Sequence, residues 1–335
     1  MAFPGIRSFL LRRYGGQSRL MGGTMCVRLL EPSLRKNQCR LAVSFFSSWS
    51  HPEERANDGE EEGSEFRLAS FTNPKYSIDI KEKFEEEKGL KDETVLKIVT
   101  SLLDNGVVQI DNAIRSEELE VLSAAAADNM ERVRLALDRR KETETSEEGK
   151  RALEEGFREV KIGDGCRLES IHDMRRDPFL SLIQHDGWAP VVQNTLQSSV
   201  HVAFMGVTSV LPSAKTEPPE EWHSLVPHLF GDRGLHLPPH SLEVIVPLSP
   251  VDLFSGPWEF RLGSHVEKPR GRDGGEVKDV PFFPSRGSVL IADSRVQRRG
   301  IPNRGGRQRL EVFVSYGKRW FRDSSRNDQS KPALF

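Results

Sequence analysis

The sequence predicts an α+β fold that is mainly β. Between Glu93 and about Arg140 apolar side chains recur at helical spacing, whereas beyond Lys150 the texture changes to short β-rich runs separated by Pro and Gly. Helices first and many antiparallel-looking strands afterwards are the pattern of helices packed around a β-sandwich or barrel. The chain has 335 residues, 36% of them apolar. That is enough hydrocarbon for a proper core, in one large domain or two ordinary ones.

Residues 1–50 stand apart. They carry Arg7, Arg12, Arg13, Arg19, Arg28, Arg35, Lys36 and Arg40 against the single acid Glu31. FPGIRSFLLRRY can wind an amphipathic helix with Phe3, Ile6, Phe9 and Leu10 near one face and arginines beside it. This is the composition of an organellar transit peptide, with the mitochondrial matrix as the leading address and a plastid as the alternative. The other reading is a disordered basic leader that binds acidic surfaces. HPEERANDGEEEGSE, residues 51–65, is acidic and nearly free of large apolar residues, hence a solvated linker. One domain is expected over residues 66–323, with a C-terminal tail over 324–335.

Within that domain Val95, Leu96, Ile98, Val99, Leu102 and Leu103 make an amphipathic helix, stopped by Asn105-Gly106. GVVQIDN reads as a short strand. Ser116 caps a second helix, which carries Glu117 and Glu118 in its first turn and runs through Leu119, Leu122 and an alanine-rich stretch to about Arg140. KETETSEEGK reads as a charged loop. The strand candidates follow: VHVAFMGVTSVL, SLEVIVPL, GSVLIAD and RLEVFVSYG. Gly256, Gly263, Gly300 and Gly305-Gly306 are expected at turns.

Composition and motifs exclude several classes of function. The formal charge is −2 for the whole chain and −9 without the basic leader, which argues against nucleic acid as a partner. No run approaches the roughly 18 to 20 apolar residues of a membrane span. Cys26 and Cys39 lie in the leader, leaving Cys166 alone in the body, so a disulfide framework or thiolate zinc site has no basis there. No phosphate-binding loop, dinucleotide fingerprint or nucleophile elbow is present.

WHSLVPHLF, Trp222–Phe230, begins as a metal motif and does not complete it. An H-x-D pair on a strand delivers two ligands to one face, and a later strand brings a second histidine, which together form a 2-His-1-carboxylate iron site. In its landmarks the chain resembles the phytanoyl-CoA dioxygenase-like branch of the Fe(II)/2-oxoglutarate oxygenases. DNGVVQIDNAIRSEELEVL is similar to that family's opening strand and helix, and EEWHSLVPHLF to its W-H-x-D segment. HLPPHSLEVIVPLSPVDLFSGPWEFRLGSH is similar to its "NGP…PGSH" passage. GSVLIADSRVQRRGIPNRGGRQRLEVFVSYGKRWFRD is similar to its closing segment. Together these span most of residues 95–323. The resemblance implies a double-stranded β-helix, a cupin-like jelly roll with flanking N-terminal helices. The implied reaction is hydroxylation coupled to oxidative decarboxylation of 2-oxoglutarate.

Carried over by position, the first histidine ligand falls on His223, the carboxylate ligand on Leu225 and the distal histidine on Arg298. The arginine that grips 2-oxoglutarate falls on Arg309. The last histidine of the chain is His265, so a slipped alignment does not restore the distal ligand. A guanidinium has no lone pair to donate and repels Fe(II). Halogenases of this superfamily also lack the carboxylate, but they place a small residue there and keep both histidines, whereas a leucine on the face of His223 would fill the space. Arg298 and Arg309, expected on neighbouring strands, would suit a carboxylate or phosphate ligand.

Other polar residues offer weaker alternatives. His223, His228, His236 and His240 crowd into eighteen residues, yet HLPPH reads as a stiff loop, and His265 as structural. Asp232, Asp252 and Asp293 read as turn or surface acids. Two functional readings follow. In the first the chain is a degenerate oxygenase without iron, a pseudoenzyme serving as an accessory subunit of an organellar protein assembly or as a binder of a small anionic metabolite. In the second it is an active 2-oxoglutarate-dependent dioxygenase whose Fe(II) takes rearranged ligands such as His228.

Overall fold

A computed structural model describes residues 76–81, 89–163, 167–172, 174, 176–197, 199–213, 217–230, 235, 237–266, 278–322, 326 and 329–335. The basic leader, the acidic linker, the expected domain start at Phe66, and the candidates Cys166, Asp232 and His236 lie outside these residues.

The core is a jelly roll of the double-stranded β-helix type. The strands are β1 (Ser77–Asp79), β2 (Val107–Asp111), β3 (Val160–Ile162), β4 (Arg167–Ser170), β5 (Val200–Val210), β6 (Ser241–Pro247), β7 (Trp258–Arg261), β8 (Asp279–Pro281), β9 (Val289–Asp293), β10 (Arg298–Gly300) and β11 (Arg309–Lys318). Eight form a large sheet in the order β1-β2-β9-β6-β11-β5-β4-β3, and β10-β7-β8 form a small one. From β5 onward the chain alternates between them: β6 large, β7 and β8 small, β9 large, β10 small, β11 large. β1 pairs with β2 in parallel and the remaining ladders are antiparallel.

Helices cover the outer face of the large sheet. They are α1 (Asp92–Asn105), α2 (Ser116–Thr143), α3 (Glu147–Glu155) and α4 (Ala189–Leu196), with a 3-10 segment at Phe179–Gln184. The apolar spacing of α1 buries Val95, Ile98 and Leu102 in one cluster with Val244, Val246, Val312 and Val314 of the sheet. Each such side chain contributes about 1.5–3 kcal/mol. α1 ends where expected, because Gly106 takes the left-handed cap at φ 84°. A side chain there would collide with the His265 ring. Among the described residues no helix is long and apolar enough to cross a membrane.

Three local expectations are corrected. Arg115 rather than Ser116 is the N-cap of α2, and Ser116 is its first helical residue. KETETSEEGK is mostly helical: α2 continues to Thr143, and Ser146 caps α3 by accepting from the Gly149 N–H. Its charges form i,i+3 and i,i+4 pairs such as Lys150–Glu147 and Arg140–Glu144, which support helix without apolar periodicity. Gly300 is not at a turn but ends β10, where a Cβ would collide with the Arg167 guanidinium and the Glu220 carboxylate.

The end of the chain is docked. The Pro332 carbonyl accepts from the Arg158 N–H and the Ala333 carbonyl from Arg140. Leu334 joins the main core, and Phe335 stacks on His172 at 3.6 Å.

Candidate functional site

The two sheets face each other across an interior whose character changes along its length. Strand alternation divides β11 cleanly: Val312, Val314 and Tyr316 join the core under the helices, while Arg309, Glu311, Phe313 and Ser315 occupy the opposite face. Toward β2 and β9 the interior is apolar, filled by Val107, Ile245, Trp258, Phe260, Leu290 and Val296. Toward β4 and β11 it is charged.

His223 and Arg298 are brought together. Their backbones form an isolated antiparallel bridge, His223 N–H to the Arg298 carbonyl at 3.0 Å and Arg298 N–H to the His223 carbonyl at 2.8 Å. His223 thus sits in a single bridge, not in the full strand that an H-x-D pair would use. Its Nδ1–H donates to the Glu221 carbonyl at 3.0 Å in the neutral ring. Although His223 is exposed at the surface, desolvation by its neighbours first, and the charge of Arg298 second, hold the imidazole pKa below its ordinary value. Leu225 is half-buried and stands outside both apolar clusters.

Arg298 is buried and paired with Glu243 of β6 across the sandwich, and its guanidinium lies 4.5 Å from the Trp258 ring centroid. Arg309 pairs with Glu311 on its own strand and donates from Nε to the Ser255 carbonyl at 3.0 Å. Burial pulls its pKa down while Glu311 opposes this. The two arginines stand on opposite sheets, not on neighbouring strands; Arg298 lies over the Trp258 ring, and Arg309 reaches that residue only through Glu311. The space beside Arg309, bounded by Val251, Trp258, Phe282 and Leu290, has no volume that admits a water molecule. A cleft of about 320 Å³ lies elsewhere, lined by Gln184, Gln193, His201 and Tyr316 among others.

These pairs belong to a larger network. Arg167 of β4 binds Glu220 at 2.8 Å, reaches Glu311 at 3.5 Å and lies 4.0 Å from the Trp258 centroid. The Trp258 indole therefore lies against two guanidiniums while its Nε1–H donates to Glu311 at 2.9 Å. Arg326 binds Glu243 at 2.6 Å and Glu169 of β4 at 3.3 Å. Among the described residues four guanidiniums face four carboxylates, so this network is balanced in charge. Six of the eight side chains are at most 6% exposed, and Glu169 and Glu220 are 13% exposed. Burial alone would raise the Glu243 pKa, but Arg298 and then Arg326 outweigh it and bring it down to about 2. Sequence position points to Arg298 and Arg309 but not to Glu169, Glu220, Glu243, Glu311, Arg167 or Arg326. The sequence did carry one signal, the period-2 run R-L-E-V-F-V-S-Y with its charges on one face.

Taken by themselves, His223, Leu225 and Arg298 do not fit Fe(II). An iron triad needs three donor atoms around one point; His223 offers one, Leu225 offers hydrocarbon, and Arg298 offers a cation already committed to Glu243. Among the described residues no group of three His, Cys, Asp or Glu is placed to hold a metal ion. His228 approaches the Ser264 carbonyl at 3.2 Å, and His240 is buried against Phe321 at 4.6 Å. His265 approaches the Leu103 carbonyl at 3.0 Å, Asp293 is held by Arg295 at 2.7 Å, and Asp252 accepts from the backbone of its own turn.

No family model matches the chain. Among solved structures it is similar to SnoN, a non-heme alpha ketoglutarate dependent epimerase from nogalamycin biosynthesis, at 16% identity over 68% of this chain and 82% of that one, TM-score 0.48. It is also similar to SnoK, a non-heme alpha ketoglutarate dependent carbocyclase from the same biosynthesis, at 16% identity over 69% and 85%, TM-score 0.46. EvdMO1 is similar at 16% identity over 67% and 50%, TM-score 0.46. At this level of likeness no residue role passes from these proteins to the present chain.

Proposed function

We propose that this chain is a catalytically silent relative of the Fe(II)/2-oxoglutarate oxygenases, from the phytanoyl-CoA dioxygenase-like branch, acting as an accessory protein of an organellar assembly. One observation carries the reading. Arg298, at the distal-ligand position and backbone-paired to His223, turns its guanidinium onto Glu243 inside the sandwich. A positive group stands where a metal would need a lone pair, and a buried carboxylate holds it there. The carboxylates that a small anion would offer Arg298 and Arg309 are supplied by Glu243 and Glu311. This moves the function from the interior to the surface of the fold. The basic leader suggests delivery to the mitochondrial matrix, and the charge of −9 without it suits docking to protein rather than nucleic acid.

The test is direct. Purified full-length protein, given Fe(II) and 2-oxoglutarate without oxygen, is expected to show no visible charge-transfer band and to release no succinate once air is admitted. Elemental analysis is expected to find neither iron nor zinc in proportion to protein. Stoichiometric iron, or succinate formation, would overturn the proposal in favour of an active dioxygenase with rearranged ligands. Calorimetric titration with 2-oxoglutarate, succinate and phosphate is expected to be silent at millimolar ligand. Fusing residues 1–50 to a fluorescent protein tests the address.

A further inference from the structure

The charge balance of this network depends on a residue that the barrel strands do not supply. Arg167, Arg298 and Arg309 stand on β4, β10 and β11, while Glu169, Glu243 and Glu311 stand on β4, β6 and β11, with Glu220 just before His223. These parts hold four carboxylates but three guanidiniums. The fourth comes from Arg326, beyond the end of β11.

Its surroundings have the chemistry of a guanidinium receptor. Nη1 lies 2.6 Å from Glu243 and donates to the Ser315 hydroxyl at 2.9 Å, and Nε lies 3.3 Å from Glu169. The guanidinium carbon lies 4.1 Å from the centroid of the Phe313 ring. Two carboxylates, a hydroxyl acceptor and an aromatic face match the planar fork of an arginine and not the compact ammonium of a lysine. The walls are fixed, because Phe313 and Ser315 are neighbours on one face of β11, and Glu169 and Glu243 are held in the same large sheet. The occupant alone arrives from outside the sheets.

We infer that Glu169, Glu243, Phe313 and Ser315 form a guanidinium-binding site, held in cis by Arg326, that accepts an arginine side chain of a partner peptide when the C-terminal segment withdraws. Withdrawal without replacement would leave an unbalanced carboxylate in a buried setting, so the favourable route is exchange of one arginine for another. The segment is then an intrachain ligand competing with the partner. This rests on reading the interior as an ion-paired core. Iron in the wild-type protein would defeat that reading, whereas the experiment below defeats the site alone.

Full-length Arg326→Ala is expected to melt several degrees below wild type. Guanidinium chloride at millimolar, non-denaturing concentration should restore the loss saturably, and so should acetyl-arginine amide. Acetyl-lysine amide and sodium chloride should not, and the wild-type midpoint should not move with any of the four. If Arg326→Ala does not fold unaided, its refolding yield in the same four additives carries the same information. Selective recovery with the two guanidinium compounds supports the site. Equal recovery with all four, recovery with none, or a variant as stable as wild type overturns it.

Discussion

Removing the charge of Glu243 tests whether the interior network holds the fold together. Glu243 is 1% exposed and binds both Arg298 and Arg326, so Glu243→Gln leaves two buried guanidiniums short of a counter-ion. Breaking a buried pair from one side costs about 3–5 kcal/mol. For a domain of this size that corresponds to a fall of roughly 6–20 °C in midpoint, at about 2–4 °C per kcal/mol. The pH dependence gives a second estimate. The folded pKa of about 2 lies below the ordinary carboxylate value, so the stabilisation is fully present above about pH 4.3 and is lost as pH falls through 2. At about 1.4 kcal/mol per unit the difference is about 3 kcal/mol, in agreement with the first figure. Thermal melts and urea titrations from pH 7 to 2 should show wild type and variant far apart at neutral pH and converging toward the acid end. As a control, Glu93→Gln, whose partner Lys97 is also exposed, should change stability by less than about 0.5 kcal/mol. A Glu243→Gln effect below about 1 kcal/mol, or curves that stay parallel with pH, would refute the reasoning.

Other outcomes follow from the same geometry. His240 is buried with neither ring nitrogen hydrogen-bonded, and burial, then Arg295, lowers its pKa to about 4. The stability of the neutral ring is present above about pH 6.5 and declines as pH falls to 4, by up to about 3 kcal/mol; urea unfolding of His240→Leu should lack that slope. Leu225→Asp combined with Arg298→His would place a carboxylate and a second imidazole beside His223. It should bind Co(II) at least ~10-fold more tightly than wild type, seen by visible absorption, and no gain would show that His223 does not mark a ligand position. Leu334→Ala should cost about 2–4 kcal/mol in thermal melts, and a change below about 1 kcal/mol would mean that residues 329–335 lie outside the cooperative unit.

Much of the fold was legible because its signals are local. Alternation marked β5, β6, β9 and β11, and the Asn105-Gly106 stop marked the end of α1. Local reasoning failed at KETETSEEGK, where charge pairs one turn apart sustain helix without apolar spacing. It failed again at Gly300, whose missing side chain makes room for Arg167 and Glu220. The residues that define the interior were harder to see, since each looks like an ordinary surface charge until its partner is known. Glu243 in SLEVIV and Glu311 in RLEVFV are lone acids in apolar runs, and nothing nearby says whether solvent or a guanidinium faces them.

By itself the sequence determined that His223, Leu225 and Arg298 do not compose an iron triad, because donor capacity belongs to residue type and needs no coordinates. It also determined which strands alternate, because a two-residue period is written along the chain. Only the tertiary structure decided which groups face Arg298. Arg298 and Glu243 are 55 residues apart in sequence, and Arg326 and Glu169 157. The first pair forms only when two sheets close over one another, the second only when the chain beyond β11 folds back onto β4; both exclude water, which makes each buried charge costly until an opposite charge meets it.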